Sequence, residues 1–316
     1  MNKPELLCIL GPTASGKTAL SIALAKCVSG EIVSADSMQI YKGMDIATAK
    51  PDEREKDGVS HHMIDILEPD EEYSVKRYVE DASECIDGIL GRGHVPIVCG
   101  GTGLYIDSLL KGRDFASIAE DPKLREALRK RAEKEGGASL LSELSRFDPE
   151  SAARLHENDL KRIIRAIEVY RVSGTTITQY NESSKLKQPR YRALKLGIRF
   201  SDRKVLYDRI NRRVDEMMQK GLLDEARRLY DDGKLKGTAL QAIGYKELIR
   251  VFGGECTVAE AVDDIKQKTR RYAKRQMTWF SRDRDIKWLN LEKGEPFEQI
   301  LLNSMECVAA SGIKWL

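Results

Sequence analysis

Leu6-Leu7-Cys8-Ile9-Leu10-Gly11-Pro12-Thr13-Ala14-Ser15-Gly16-Lys17-Thr18 is the stretch from which the rest of the chain can be read. Its first five residues are a continuous apolar run, too short for a helix and suited to a central parallel strand buried on both faces. Gly11 to Thr18 then match the phosphate-binding loop pattern in full. Directly after it, apolar residues recur at helical spacing (Leu20, Ala23, Leu24, Cys27), and Gly30 stands where a C-terminal cap belongs. Strand, glycine loop and helix in that order are the context the pattern requires. Backbone N–H groups of such a loop converge on phosphate oxygens, the helix dipole adds positive potential, and the glycines let the backbone come close. Lys17 is expected to contact a terminal phosphate and Thr18 to hold a Mg²⁺ ion. Which diphosphate or triphosphate is bound, ATP included, the loop does not say, because it grips two linked phosphates whatever they carry.

Outward from that stretch, residues 31–35 read as a second short strand. Residues 63–67 and 94–99 are further strand candidates, the latter preceded by a helix expected over 74–90 and by Gly91-Arg92-Gly93. Strands alternating with helices predict an α/β fold, a phosphate-loop-containing doubly wound parallel sheet. Past Phe115 the strand signals stop and charged helices replace them, which marks an all-helical insertion. Asp121-Pro122 starts one helix and Gly136-Gly137 ends it; Asn158-Asp159 caps another that runs to Val172 and stops at Gly174. Leu194, Leu196, Ile198 and Phe200 alternate at period two and return the chain to the sheet, after which helices dominate. The expected division is 1–115 for the first part of the core, 116–190 for the insertion and 191–316 for completion of the core. The polar, proline-bearing stretch 183–190 is the linker candidate.

Composition narrows the class. With 41% hydrophobic and 33% charged residues in 316, the chain reads as an ordinary globular protein able to bury a large core. No run approaches ~18 uninterrupted apolar residues and the N-terminus lacks a signal-peptide pattern, so no membrane association and a cytoplasmic location are expected. Six scattered cysteines, with no CxxC pair, read as reduced thiols. His61-His62 are neighbours on an expected strand, so their side chains point to opposite faces; with no carboxylate triad beside them they are expected to be structural.

Two further loops belong to the same sheet edge. Ser34-Ala35-Asp36-Ser37-Met38-Gln39-Ile40-Tyr41 follows the second strand and puts a carboxylate at its carboxyl end, where doubly wound folds build their sites. On position alone Asp36 could bind Mg²⁺ as in nucleotide kinases, accept a proton from an attacking nucleophile, or cap the strand. Cys99-Gly100-Gly101-Thr102-Gly103-Leu104-Tyr105 brings a second glycine-rich backbone to that edge.

Taken together, residues 11–18 (GPTASGKT), 34–41 (SADSMQIY) and 100–105 (GGTGLY) resemble the signature set of the tRNA dimethylallyltransferases, in that order and at similar separations. The resemblance continues through 45–51, 61–65, 209–217, 243–245 and 271–279, nearly the whole chain. It implies that Gly11, Thr13, Ala14, Ser15, Gly16, Lys17 and Thr18 hold the diphosphate of dimethylallyl diphosphate, with Mg²⁺ at Thr18 as the cofactor. It implies that Asp36 is the general base toward the exocyclic amine of an adenine beside the tRNA anticodon. Arg213 matches a cation that meets the diphosphate, though Arg212 stands next to it. The same likeness assigns tRNA contacts to Asp36, Ser37, Met38, Gln39 and Thr102, to Lys161, Arg162, Ile163, Ile164 and Arg165, to Gln241, Ala242, Ile243, Gly244, Tyr245 and Lys246, and to Arg125. A base inside a stacked anticodon loop is out of reach, so extrusion into a channel is implied. Eukaryotic relatives carry a C-terminal zinc element that is not seen here, so the bacterial enzymes, acting as monomers on the tRNA anticodon stem-loop, are the better comparison.

Three basic segments, 123–131, 161–165 and 266–275, are candidate tRNA surfaces, each with the plainer alternative of a solvated helix face. Tyr245 suits stacking on a base, whereas Trp279 and Phe280 at helical spacing suit the core. Three rival readings remain from the residues: a nucleotide or small-molecule kinase, prenyl transfer to free adenine nucleotides, and a non-catalytic RNA-binding regulator. The co-occurrence of Lys17, Thr18 and Asp36 argues against the last.

Overall fold

Leu6, Cys8 and Leu10 enter one apolar cluster and Leu7 and Ile9 another, so the opening strand is buried on both faces, as its continuous apolar run requires. The computed structural model describes residues 3–112, 121–183 and 188–312. Its sheet contains β1 (Glu5–Leu10), β2 (Gly30–Ser34), β3 (His61–His62), β4 (Val95–Gly100), β5 (Arg192–Phe200) and β6 (Lys287–Leu291). They run in the order β3-β2-β4-β1-β5-β6, with every neighbouring pair parallel. Helices Lys17–Cys27 and Phe297–Ala309 cover one face around Leu20, Leu24 and Val308. Helices Val75–Gly91 and Gly103–Leu110 cover the other around Tyr78, Ile86 and Ile106. The fold is a doubly wound parallel α/β sheet, and the loops after β1, β2 and β4 leave from one edge. A further cluster, including Tyr41, Met44, Leu222, Tyr245 and Ile265, packs the C-terminal helices against the segment that follows β2.

Two local expectations are corrected. Gly30 does not cap the first helix: Val28 is the cap, Ser29 takes the left-handed turn at φ 49°, and Gly30 opens β2. A Cβ on Gly30 would sit 2.9 Å from Val95 O, so glycine is required by the approach of β4. Residues 63–67 do not form a strand, because Met63 and Asp65 are left-handed and the ladder ends at His62. Instead Lys50 ties this segment down, its Nζ donating to Asp65, to Asp45 and to Tyr41 O. Helices dominate the C-terminal part as expected, with one strand among them, β6, which pairs with β5 from Lys287 to Leu291.

The chain divides into two compact units, Met1–Leu110 with Arg190–Leu316, and Lys111–Pro189. The boundary expected at Phe115 and residues 184–187 of the expected linker lie outside the described residues. In the second unit the described helices are Pro122–Glu135, Gly137–Phe147, Pro149–Ala153, Leu160–Ser173 and Ile177–Ser183, packed around Leu128, Leu140, Leu144, Ile163 and Ile167. Asp121 caps the first by accepting from Leu124 N at 2.9 Å, and Gly174 at φ 71° ends the fourth.

Candidate active site

The loop leaving β1 passes through two left-handed positions, Ala14 at φ 61° and Gly16 at φ 96°, and Gly16 begins the Lys17–Cys27 helix. Such a run turns backbone N–H groups toward one concavity at the positive end of the helix. A Cβ on Gly11 would lie 2.8 Å from Ile198 O of β5, so the chain can leave the sheet here only through glycine. Lys17 Nζ donates to Pro12 O at 2.7 Å. Burial pushes the Lys17 ammonium down to about 8, with Arg213 adding to the fall and Cys99 and Asp36 opposing it. Not every expected phosphate contact is available. Thr13 N already donates to Gln276 Oε1 at 2.9 Å, and Ser15 N donates to Pro12 O at 3.3 Å while its hydroxyl is buried without a partner.

Asp36 stands just past β2. Its Oδ1 accepts from Met38 N at 2.9 Å. Thr102 grips the backbone on either side of it: Thr102 N donates to Ala35 O at 3.1 Å, and Thr102 Oγ1 accepts from Ser37 N at 3.1 Å. Gln39 accepts from Ser34 Oγ and donates to Thr48 O and Ala49 O, which braces the loop while its side chain lines the adjoining cavity.

These loops line one cavity of about 280 Å³ together with Thr13, Ala14, Lys17 and Thr18. Two helices add to its wall. Arg203–Gln219 contributes Ile210, Arg213, Val214 and Met217, and Val258–Phe280 contributes Ile265, Thr269, Tyr272 and Gln276, each set at helical spacing. Arg213 faces this cavity and donates to Thr13 Oγ1 at 3.4 Å. Burial lowers its pKa, with Asp36 opposing. Arg212 is exposed and lines a neighbouring depression of about 580 Å³, whose wall also includes Lys17, Thr18, Arg213, Arg209 and Glu55. Of the adjacent arginines, Arg213 lines both spaces and Arg212 only the second.

Gln241, Ala242, Ile243 and Gly244 also line the cavity. Gly244 is at φ 108°, and a Cβ there would meet Ala47 Cβ at 3.0 Å, so glycine lets two lining segments meet. Tyr245 does not stack on anything outside: it is fully buried and donates to Glu225 Oε1 at 2.5 Å. Glu225 also accepts from Asp45 N and Ile46 N, which fixes the loop carrying Ala47 to Ala49. Lys246 donates to Gln241 Oε1 at 3.1 Å.

The helical unit sorts its own candidates. Ile163 and Ile164 are core residues. Arg125 and Arg165 both pair with the buried Glu168, at 2.8 and 2.7 Å, and so help hold this unit together, while Arg165 also lines the same depression as Lys161 and Arg162. Burial alone would raise the Glu168 carboxyl, but Arg165, the Asp121 backbone and Arg125 outweigh it and hold the pKa low. Lys161 and Arg162 are exposed and, with Arg154, line a depression of about 400 Å³. In segment 266–275, Lys266 pairs with Asp215, Lys268 with Asp264 and Glu247, and Arg270 with Asn211, so these cations bind protein. Phe280 is core, and Trp279 packs against Gly103.

A Mg²⁺ ion has few protein ligands here. Among the described residues no group of three or more His, Cys, Asp or Glu could hold a metal, while Thr18 and Asp36 line the same cavity. That set fits a hard ion that keeps its waters and is held chiefly by phosphate oxygens. His61 and His62 are structural: His61 Nδ1 contacts Val59 O, and His62 and His94 both contact Glu31, which Arg92 also binds. The residues that sequence reasoning left without a role are Gln276, Tyr272, Thr269, Met217 and Glu225. The spacing 265, 269, 272, 276 was the one available signal for a lining helix face.

Comparison with known proteins gives consistent results. The family described as IPP transferase matches residues 39–283, and that described as isopentenyl transferase matches residues 4–66. The tRNA dimethylallyltransferase of Acetivibrio thermocellus is 48% identical over 98% of this chain and 99% of its own. That of Bacillus subtilis is 47% identical over 92% and 91%. A solved tRNA isopentenylpyrophosphate transferase from Bacillus halodurans superposes with a TM-score of 0.74 at 40% identity, covering 98% of this chain and 96% of that one. A eukaryotic dimethylallyltransferase solved acting on tRNA gives 0.79 at 28% identity, covering 98% and 81%.

Proposed function

The chain belongs to the tRNA dimethylallyltransferase family, and from that membership we propose how its own residues carry the reaction. It transfers a dimethylallyl group to the exocyclic amine of the adenine 3′-adjacent to the anticodon in tRNA and releases diphosphate. The donor is dimethylallyl diphosphate and the setting cytoplasmic, where a monomer meets the tRNA anticodon stem-loop. No described helix is long and apolar enough to cross a membrane.

One observation carries the residue assignment: Lys17, Arg213 and Asp36 line a single cavity, and neither cation has a carboxylate within 4.0 Å among the described residues. The loop N–H groups not otherwise engaged, Lys17 and Arg213 receive the diphosphate. As the bond from C1 of the prenyl group to diphosphate oxygen breaks, those donors stabilise the charge that leaves with the oxygen. The adenine amine forms its bond to C1 and loses one proton, which Asp36 accepts. Oδ1 of Asp36 is held by Met38 N, which orients the carboxylate toward that task. Thr18, with Asp36 in reach of the same space, would hold Mg²⁺, whose chemistry is to neutralise charge on the diphosphate. The cavity walls from Ile210, Val214 and Met217 keep water from the electrophilic carbon.

The test is transfer of radiolabel from dimethylallyl diphosphate. Label is expected in unmodified tRNA and absent from adenosine monophosphate. Label in the free nucleotide and none in tRNA would overturn the assignment.

A further inference from the structure

Donor and acceptor groups reach this cavity from different loops, so something must fix their separation. Gln276 lies on the Val258–Phe280 helix, is 5% exposed and touches both sides. Its Oε1 accepts from Thr13 N at 2.9 Å in the phosphate loop, and its Nε2 donates to Gly101 O at 3.0 Å in the loop after β4. A backbone N–H on one side and a carbonyl on the other leave only one orientation for the amide. The next residue, Thr102, grips Ala35 O and Ser37 N, the peptide neighbours of Asp36. One chain of contacts therefore runs from the phosphate loop through Gln276, Gly101 and Thr102 to Asp36.

We infer that Gln276 is a positioning residue that sets the spacing between the phosphate loop and Asp36. It need not touch substrate: its amide ties down Thr13 N, which removes that N–H from the diphosphate, and it pins the loop that clamps Asp36. Gly101 is glycine for the same reason, since a Cβ there would lie 2.0 Å from Gln276 Nε2. Gly101 is not in the left-handed region, so alanine is compatible with its backbone and strikes chiefly this amide. The inference rests on the prenyl-transfer reading above.

Gln276→Met keeps length and removes both hydrogen bonds. With both substrates saturating, turnover is expected to fall about 100-fold, the scale of an ångström of misplacement. The Michaelis constants for donor and tRNA, and the affinity for inorganic diphosphate with Mg²⁺, should stay within about threefold of the parent. Gly101→Ala should reproduce the turnover loss with Gln276 still present. In a Gln276→Ala background, where the amide is gone, Gly101→Ala should add little further loss. Unchanged turnover in Gln276→Met, a loss confined to the donor's Michaelis constant, or full multiplication of the Gly101→Ala and Gln276→Ala losses would each overturn the inference. If Gln276→Met fails to fold, Gly101→Ala and its cycle with Gln276→Ala still decide. Absence of label transfer by the parent protein would instead count against the prenyl-transfer reading.

Discussion

Replacing Arg213 by methionine should lower activity without lowering stability, and both outcomes follow from one observation. The guanidinium faces the cavity, has no carboxylate within 4.0 Å among the described residues, and makes one long contact, 3.4 Å to Thr13 Oγ1. Burial lowers its pKa, with Asp36 opposing, which marks a cation held at a cost in the folded protein. Methionine fills similar space beside Ile210 and Val214 without that charge, so Arg213→Met is expected to be neutral or stabilising by roughly 1 kcal/mol. In the proposed reaction the same guanidinium meets departing diphosphate. A hydrogen bond to a charged group contributes about 1.5–3 kcal/mol, which is about 10- to 150-fold in kcat/KM for the donor. Chemical denaturation and steady-state kinetics with donor varied at saturating tRNA measure the two effects. Arg213→Met that is clearly destabilised yet retains full donor kcat/KM would mean that Arg213 serves the fold, and the reasoning from its missing partner would fail.

Lys17 carries a pKa of about 8 through burial, so it loses its proton above that pH and kcat/KM for the donor should fall as pH rises through about 8; Lys17→Arg should move that fall out of the accessible range, and an unshifted profile would assign it to another group. Asp36→Asn keeps shape and removes charge, so turnover should drop by about 10²–10⁴-fold with donor binding preserved; a large loss of donor affinity restored by added Mg²⁺ would make Asp36 a metal ligand instead. Reversing the exposed Lys161 and Arg162 to glutamate should raise the Michaelis constant for tRNA and flatten its dependence on salt, leaving the donor constant unchanged; equal salt slopes would make this a solvated face. For Glu31, Arg92 foremost pulls the carboxyl down to about 2 against burial, helped by His62 and His94. The folded state thus binds fewer protons than the unfolded one between the ordinary value of 4.5 and about 2. That contribution is complete above pH 4.5 and is lost as pH falls toward about 2, at no more than about 1.4 kcal/mol per pH unit. Glu31→Gln should remove this slope from an acid-unfolding series and lower stability at neutral pH, and an identical slope would place the acid sensitivity elsewhere.

What the sequence discloses is what short-range geometry dictates. The phosphate loop declares itself because β1, the glycines and the first helix are contiguous, and Asp36 because a strand end fixes where a residue emerges. Gln276 was silent because its partner is Thr13, 263 residues away, and only the packed helix brings them together. Tyr245 misled for a related reason: an aromatic in a contact segment suits a base, but here the hydroxyl serves the buried Glu225. Ile163 and Ile164 lie within a basic stretch whose charges face outward, so they form the core that carries those charges. Arg125 and Arg165 count as cations in a sequence, yet the unpaired acid they neutralise appears only in three dimensions. Gly30 read as a cap because glycine at a helix end usually is one, whereas here the crowding comes from β4.

The placement of β5 also bears on synthesis. β1 pairs with β4 on one side, but its other edge waits for Arg192–Phe200. On a ribosome adding about 5–20 residues per second, the second unit of 79 residues, 111–189, takes about 4–16 s to emerge before that edge can be closed. Throughout that interval Leu6 to Leu10 present open backbone hydrogen-bonding groups and an apolar surface, the features that invite wrong pairing. The helical unit carries its own apolar centre and can settle during the delay. A nascent chain stalled before residue 192 is therefore expected to be the form most dependent on chaperones, and slowing translation across 111–189 should lower the yield of native protein even though no residue of the active site has changed.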